Sequence, residues 1–266
     1  MDQLLCVIRG GGDLATGVAW RLSRAGAAVV VTELARPLTV RRSVALSAAV
    51  SEGEVDIETM RGRLAASQAE AVDIATSSRG EVVAVVVSPG LPDIEADVVC
   101  DARLAKRNID TSIDDAPLVI GLGPGFTAGD DCDVVVETMR GPHLGRALWT
   151  GTAADDTGTP GVIAGRGAER VVRAPVDGAV AWRRSIGDLV DDDEQLGTVG
   201  GAPVRAPFAG VVRGLILDGS TVTQGLKIGD VDPRLDPGLC REISDKALAI
   251  GGGVAEAVSW WMLRSR

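Results

Sequence analysis

The chain opens with a short apolar run, Leu4–Arg9, stopped by three consecutive glycines, Gly10, Gly11 and Gly12. Asp13 to Ala25 carries Leu14, Val18 and Leu22 at helical spacing, with Gly26 placed as a C-terminal cap. A second apolar run, Ala27–Glu33, turns polar only at its end. Strand, glycine turn, helix and strand in this order predict a βαβ unit. Leu38–Val50 and Ile57–Thr76 read as helices, and Glu81–Val87 as a buried strand ended by Ser88, Pro89 and Gly90. A strand near Asp97–Asp101 leads into a helix over Ala102–Asn108, and further strands are expected at Leu118–Gly121 and Asp133–Thr138. Strands alternating with helices predict an open, mostly parallel sheet over residues 1–149.

The pattern changes near Thr150, where short valine-rich runs are separated by Gly, Pro and Asp, as in strands joined by tight turns. Val172–Val180 (VRAPVDGAV) recurs as Val204–Val212 (VRAPFAGVV), an offset of 32 residues from 172 to 204. The offset persists without gaps: Gly187 matches Gly219, Val190 matches Val222, Gly197 matches Gly229 and Val199 matches Val231. Two copies are too few for a solenoid, so residues 150–236 are expected to form a pseudo-twofold β sandwich. After Pro237 the pattern is helical again. Ile243, Ala247, Ile250, Val254, Val258 and Trp260–Leu263 form an apolar stripe that Gly251, Gly252 and Gly253 interrupt. A glycine inside a helix costs about 1 kcal/mol relative to alanine. The triplet therefore either ends one helix and opens another or lets two backbones approach closely. Residues 237–266 are expected to return and dock on the first domain.

Composition narrows the function. A mean hydropathy of +0.19 with 24% charged residues is that of an ordinary globular protein. The chain carries 27 Lys and Arg against 37 Asp and Glu, net −10, which argues against bulk nucleic-acid binding and against docking on anionic lipid. The four cysteines show no CxxC spacing and His143 is the single histidine, so a Cys/His zinc site cannot be assembled and no metal site is expected. No signal-peptide pattern and no apolar run of membrane-spanning length are apparent, and a cytoplasmic location is the expectation.

The candidate chemistry centres on the glycine turn. Gly10, Gly11, Gly12, Asp13, Leu14 and Ala15 fit GxGxxA between a strand and a helix, the Rossmann-type arrangement in which backbone amides and a helix N-terminus hold a pyrophosphate. Glu33 stands 21 residues beyond Gly12, about where a ribose-binding acid is found. Asp13 is unusual, since an acid there repels phosphate; capping of the helix is its alternative role. Ser88 follows the strongest strand and either faces the ligand or simply turns the chain. Gly121–Gly129 is a second glycine cluster, in which Gly123 and Gly125 suit a backbone anion nest or a mobile lid, with a structural loop as the alternative. Arg103 and Lys106, three apart on the expected helix, either bind an anion or form a solvated face. Nearby Glu137, Arg140 and His143 supply acid, cation and titratable base. His143, Lys106 and Lys246 are the candidates for proton transfer.

Two resemblances follow from these motifs. The repeated APxxGxV core resembles the biotinyl/lipoyl barrel-sandwich hybrid family, which implies that fold for residues 150–236. In that family a lysine on the central hairpin carries the prosthetic group. The corresponding turn, near Val199–Pro203, has no lysine, so neither biotin nor lipoate is expected. Across almost the whole chain, Arg9–Gly17 (RGGGDLATG), Thr32–Leu34 (TEL), Asp101–Asn108 (DARLAKRN), Gly121–Gly129 (GLGPGFTAG), Gly225–Asp230 (GLKIGD) and Ile243–Gly253 (ISDKALAIGGG) resemble the YqeB family. That family is described as accessory proteins of the selenium-dependent molybdenum hydroxylase system, so the resemblance implies a role in maturing such hydroxylases, whose relatives include xanthine dehydrogenases. One departure concerns His143: the family pattern places a histidine directly after the glycine of Arg-Gly, and here Pro142 intervenes.

The leading expectation is thus an accessory protein that binds an NAD(P)-like or other pyrophosphate-containing nucleotide, molybdopterin cytosine dinucleotide included. It would serve a molybdenum hydroxylase polypeptide or another maturation protein. A nicotinamide-dependent oxidoreductase and a non-enzymatic partner-docking protein are the alternatives, and the oligomeric state stays open, a homo-oligomer included.

Overall fold

The structure, a computed structural model, describes Met1 and residues 3–158 and 161–264. It is a mixed α/β protein whose chain divides into two units. The first comprises Met1–Pro37, Ala45–Thr157 and Ile243–Arg266, and the second comprises Leu38–Val44 and Gly158–Glu242.

The first unit begins with β1 (Leu5–Arg9), α1 (Asp13–Arg24) and β2 (Ala28–Glu33). A single turn, α2 (Ala49–Glu52), precedes β3 (Glu54–Ile57), β4 (Met60–Ala65), α3 (Gln68–Ser77) and β5 (Val82–Val87). The remaining strands are β6 (Val98–Asp101), β7 (Leu118–Leu122), β8 (Thr127–Ala128), β9 (Val134–Val136), β10 (Ala147–Leu148) and β11 (Gly151–Thr152). Nine strands form one sheet in the order β10-β9-β7-β6-β1-β2-β5-β4-β3, and β8 pairs with β11. The large sheet is parallel except at its edges, where β10 and β3 run antiparallel. β1 is central, in register with β2 from Leu5 opposite Ala28 to Arg9 opposite Thr32, and with β6 from Cys6 opposite Val98 to Arg9 opposite Asp101. Burial on both faces explains why β1, β2, β6 and β7 are nearly unbroken apolar runs.

β1-α1-β2 steps across the sheet in one direction and β4-α3-β5 steps back. Right-handed crossovers therefore put α1 and α3 on opposite faces. α3 covers Val7, Ala28, Val30, Ala84 and Val86. The parallel strand that follows β2 in the chain does not lie beside it: β5 does, with β4 outside, which departs from the doubly wound order 3-2-1-4-5-6.

Three helical expectations are corrected. Leu38–Val50 is mostly irregular, with 3-10 turns at Arg42–Val44 and Leu46–Ala48. The first part of Ile57–Thr76 is the β3-β4 hairpin, in which Met60 and Gly62 are buried while Arg61 and Arg63 point outward, a period of two. Only from Gln68 is it helical, where Ser67 caps the helix by accepting the Glu70 N–H at 3.1 Å. Ala102–Asn108 is a loop in which Leu104 and Lys106 adopt positive φ of 55° and 62°.

α4 (Asp245–Arg264) runs unbroken for 20 residues through the glycine triplet, so the close-approach alternative holds. It lies along α1. A Cβ on Gly251 would fall 2.7 Å from the carbonyl carbon of Gly17, and one on Gly17 would fall 2.8 Å from the Ala247 Cβ. Gly253 is pressed in the same way against Gly145, whereas Gly252 faces open space.

The second unit contains β12 (Val171–Arg173), β13 (Gly178–Trp182), β14 (Leu189–Val190), β15 (Gln195–Val199), β16 (Ala202–Arg205), β17 (Gly210–Leu215), β18 (Thr221–Val222) and β19 (Lys227–Asp232). They form two four-stranded sheets, β12-β19-β17-β14 and β16-β15-β13-β18. A shift of 32 residues turns each strand of one sheet into the corresponding strand of the other. The same shift pairs Val172 with Val204, Ala174 with Ala206, Val180 with Val212, Val190 with Val222, Leu196 with Ile228 and Val199 with Val231, all in one core. The β15-β16 turn is Gly200-Gly201, both at positive φ (55° and 87°), which suits a two-residue hairpin. Asp232, fully buried, accepts hydrogen bonds from Arg234 at 2.9 and 2.7 Å and lies 3.3 Å from Arg213.

Candidate functional site

The carboxyl ends of the parallel strands gather most of the residues that the sequence singles out, where open α/β sheets place their ligands. Gly10 ends β1 at φ +94°, and a Cβ there would lie 3.2 Å from the Arg103 Cα. Gly11 is closed off on another flank: its carbonyl accepts the Ser47 N–H at 2.8 Å, and a Cβ would lie 2.9 Å from the Ser47 nitrogen. Leu46 N–H donates to the Thr16 hydroxyl at 3.0 Å, which in turn donates to the Gly12 carbonyl at 2.9 Å. Gly12 alone of the three has nothing within 4 Å of its Cβ position. The open face of the turn is therefore Gly12 and Asp13. Leu14 and Ala15 are buried and pack α1 onto the sheet.

Two expectations about acids change here. Asp13 does not cap α1; Gly12 is the N-cap, without a side-chain bond, and Asp13 is the first helical residue. Glu33 binds the turn itself, its Oε2 accepting the Gly11 N–H at 2.9 Å and its Oε1 accepting the Leu34 N–H at 2.7 Å. The carboxylate that spacing assigns to a ribose thus already holds one of the amides expected to cradle phosphate. The Ser88 N–H donates to the Glu33 carbonyl at 3.0 Å, while its hydroxyl donates to the Gly90 carbonyl at 3.0 Å in its own bend.

The loop after β6 is fixed by a buried ionic network that the sequence reading missed. Asp101 accepts the Arg103 N–H at 3.0 Å, the Arg103 guanidinium at 2.6 Å and the Thr111 hydroxyl at 2.7 Å. Arg9, 1% exposed, donates to Thr111 at 2.8 Å and to Asp110 at 2.7 Å. Burial pushes the Asp101 carboxyl up, yet these hydrogen bonds and the Arg103 charge outweigh it and hold the group below the ordinary carboxylate value. Arg103 is thereby folded back onto its own strand end, which is why no helix face forms with Lys106. The available signal was Arg9 itself, a cation closing an otherwise apolar strand.

Lys106 points the other way, donating to Asp156 at 2.5 Å. Gly125 is held beneath it, where a Cβ would lie 2.7 Å from the Lys106 carbonyl carbon, and Asn108 N–H donates to the Gly125 carbonyl at 2.9 Å. Gly123, at φ +75°, leaves room for the Thr138 hydroxyl, which would be 2.5 Å from a Cβ. The second glycine cluster is therefore a packed structural loop locked to the ends of β6 and β9.

The first turn of α4 completes the group. Asp245 pairs with Arg140 at 2.7 and 2.8 Å. Lys246 follows, half-buried, in the electrostatic reach of Asp13, Arg140, Glu137 and Asp156. Burial lowers its amine below the usual lysine value, and the three carboxylates only partly offset this. Glu137, 5% exposed, spends both oxygens on backbone amides, those of Met139 at 2.6 Å and Ala154 at 2.7 Å. His143 is exposed in the turn after β9, where its carbonyl accepts the Arg146 N–H at 3.0 Å. Of the residues the sequence singles out, Glu33 is bonded to the glycine turn and Ser88 to Glu33, Lys106 pairs with Asp156, Lys246 lies within the electrostatic reach of Asp13 and Asp156, and His143 is exposed.

Among the described residues no group of three or more His, Cys, Asp or Glu side chains is arranged to hold a metal ion, and no helix is long and apolar enough to cross a membrane. No protein-family model matches the chain. The chain is 45% identical, over 261 residues and 97% of its length, to the uncharacterized protein YqeB of Escherichia coli (strain K12). It spans about half of that relative, 48% of its length.

Proposed function

From this kinship with the YqeB family, we propose that the chain is an accessory protein that binds a pyrophosphate-containing nucleotide during maturation of a molybdenum hydroxylase, the selenium-dependent kind included. The observation that carries the reading is the glycine turn between β1 and α1, whose open Gly12–Asp13 face lies at the carboxyl end of a parallel sheet. At such a place a phosphate meets free first-turn amides and the positive end of the helix dipole. On this reading the first unit is a variant of the Rossmann-like arrangement, with β5 inserted beside β2, and the second is a barrel-sandwich hybrid without its carrier lysine. The second unit then serves in docking a hydroxylase polypeptide or another maturation protein.

The fit to a nucleotide is uneven along the turn. Ser47 and Glu33 occupy the Gly11 flank. The ligand's phosphates therefore belong on the Gly12 side, toward α4, NAD(P) and molybdopterin cytosine dinucleotide being candidates that share the required pyrophosphate. Native mass spectrometry of freshly purified protein is expected to reveal a co-purifying nucleotide. Deleting the gene is expected to lower molybdenum hydroxylase activity while its polypeptide level stays constant. Unchanged hydroxylase activity in the deletion strain refutes the maturation role, and absence of binding across a panel of pyrophosphate nucleotides refutes the ligand class.

A further inference from the structure

Lys246 is a half-buried ammonium whose amine makes no hydrogen bond or ion pair with a described residue. Two of the three carboxylates around it are committed elsewhere: Glu137 to the amides of Met139 and Ala154, and Asp156 to Lys106. Its backbone position is rigid. Ala247, the next residue, is packed against Gly17, one helical turn beyond Asp13, and the Ser244 hydroxyl caps the helix by accepting the Ala247 N–H at 3.1 Å. Arg140 holds the preceding Asp245. A long cationic side chain thus leaves a fixed helix packed on α1, within the electrostatic reach of Asp13 at the start of α1.

We propose that Lys246 contacts the ligand's pyrophosphate, making the C-terminal helix a part of the nucleotide site. This rests on the nucleotide reading above and assigns a residue to it: Lys246 neutralises phosphate charge rather than transferring a proton. The arrangement also accounts for Asp13. The acid that would repel phosphate stands within the field of the lysine, which supplies an opposing charge where the ligand enters. A partly desolvated ammonium without a hydrogen-bond partner gains most from an anion that brings its own acceptor oxygens.

The chain contains only three lysines, Lys106, Lys227 and Lys246, so their reactivities can be read separately by mass spectrometry after brief acylation with an N-hydroxysuccinimide ester. Exposed Lys227, in the second unit, is the internal reference. Inorganic pyrophosphate or ADP, at ten times its Kd, is expected to slow acylation of Lys246 about tenfold, the mass-action factor for a site blocked by ligand, with Lys227 unchanged. Lys246→Met is expected to weaken pyrophosphate binding in calorimetry by about 10- to 100-fold, the range for a charge-assisted contact, and Lys246→Arg to retain part of it. Binding by the wild type with unprotected Lys246 overturns this assignment and leaves the nucleotide reading standing. A wild type that binds neither pyrophosphate nor any nucleotide defeats both. Because protection is measured on the unmodified sequence, a poorly folded variant does not obscure the result.

Discussion

The three consecutive glycines of α4 make opposite demands, and replacing each with alanine separates them. In an exposed helix interior a Gly→Ala change stabilises by about 0.8–1.0 kcal/mol through backbone entropy. At Gly252, where nothing lies within 4 Å of the Cβ position, the full gain is expected. At Gly251 the new methyl would meet the Gly17 carbonyl carbon at 2.7 Å and the Arg21 Cγ at 2.9 Å. The Arg21 side chain can swing away, but the Gly17 backbone cannot without moving α1. At Gly253 the neighbours are the Gly145 backbone, at 2.9 Å to its carbonyl carbon, and Val136 Cγ1 at 3.1 Å. Overpacking of this kind costs about 1–3 kcal/mol, more when backbone must shift. With the propensity gain subtracted, Gly251→Ala and Gly253→Ala are expected to be destabilising by roughly 1–2 kcal/mol. Urea unfolding followed by helical circular dichroism reads the first unit, which contains all four α-helices found among the described residues. Gly252→Ala should raise the midpoint and the other two should lower it. If Gly251→Ala raises it as Gly252→Ala does, α1 and α4 are not in backbone contact, and the fixed position of Lys246 is lost with that contact.

The glycine turn allows a similar separation of folding from binding. Gly11→Ala places a methyl 2.9 Å from the Ser47 nitrogen and is expected to lower thermal stability markedly, whereas Gly12→Ala, at φ −67° with open space, should cost only the modest preference of an N-cap for glycine over alanine and weaken nucleotide binding measured by calorimetry. Acid sensitivity should trace to Asp101 and Asp232. Burial opposes ionisation of both, yet hydrogen bonds from Arg103 and Thr111, and from Arg234 with the charge of Arg213, hold each pKa below its ordinary value. A depressed folded-state pKa adds stability that is fully present above the unfolded-state value, about 3.9, and is lost as pH falls from there through the folded value. Asp101→Asn and Asp232→Asn should each flatten that acid limb in urea titrations across pH, and an unchanged slope would show that these carboxylates do not carry it.

What could be read from the sequence was local or repetitive. The βαβ unit was legible because a glycine turn separates two unbroken apolar runs, and Gly26 at φ +90° ends α1 as expected. The repeat was legible because both copies carry the same inward positions, and the two sheets obey the same shift of 32 residues. The β3-β4 hairpin was missed because its strands are only four and six residues long, too short for their period to stand out. Its alternation at Arg61 and Arg63, and the capping pair Ser67 and Glu70, were nevertheless present in the sequence. Arg103 was misplaced for a different reason. Its helix would have required it to leave Asp101, two residues back, and a buried carboxylate with a guanidinium in reach outweighs the modest propensity of the Ala102–Asn108 segment. Ser47 against Gly11 and Lys246 beside Asp13 join segments more than thirty and more than two hundred residues apart, and no spacing rule within one sequence connects them.

That last juxtaposition bears on how the proposed site is charged. Taken alone, the turn offers an anion the first-turn amides of α1 and, against them, the Asp13 carboxylate and the nearby acids Glu137 and Asp156. Such a balance gives phosphate little reason to bind. Arg140 is engaged with Asp245 and Lys106 with Asp156, so neither brings an uncommitted positive charge. Lys246 does, and it arrives only when α4 packs on α1 through Gly17, Ala247 and Gly251. On the proposed reading, phosphate affinity is tied to a helix–helix contact as well as to the glycine turn. Loosening that contact removes the cation while leaving the GxGxxA segment intact. The acid in the turn is tolerable on the same reading: it favours the charged form of a partly buried lysine, against the burial that lowers its amine.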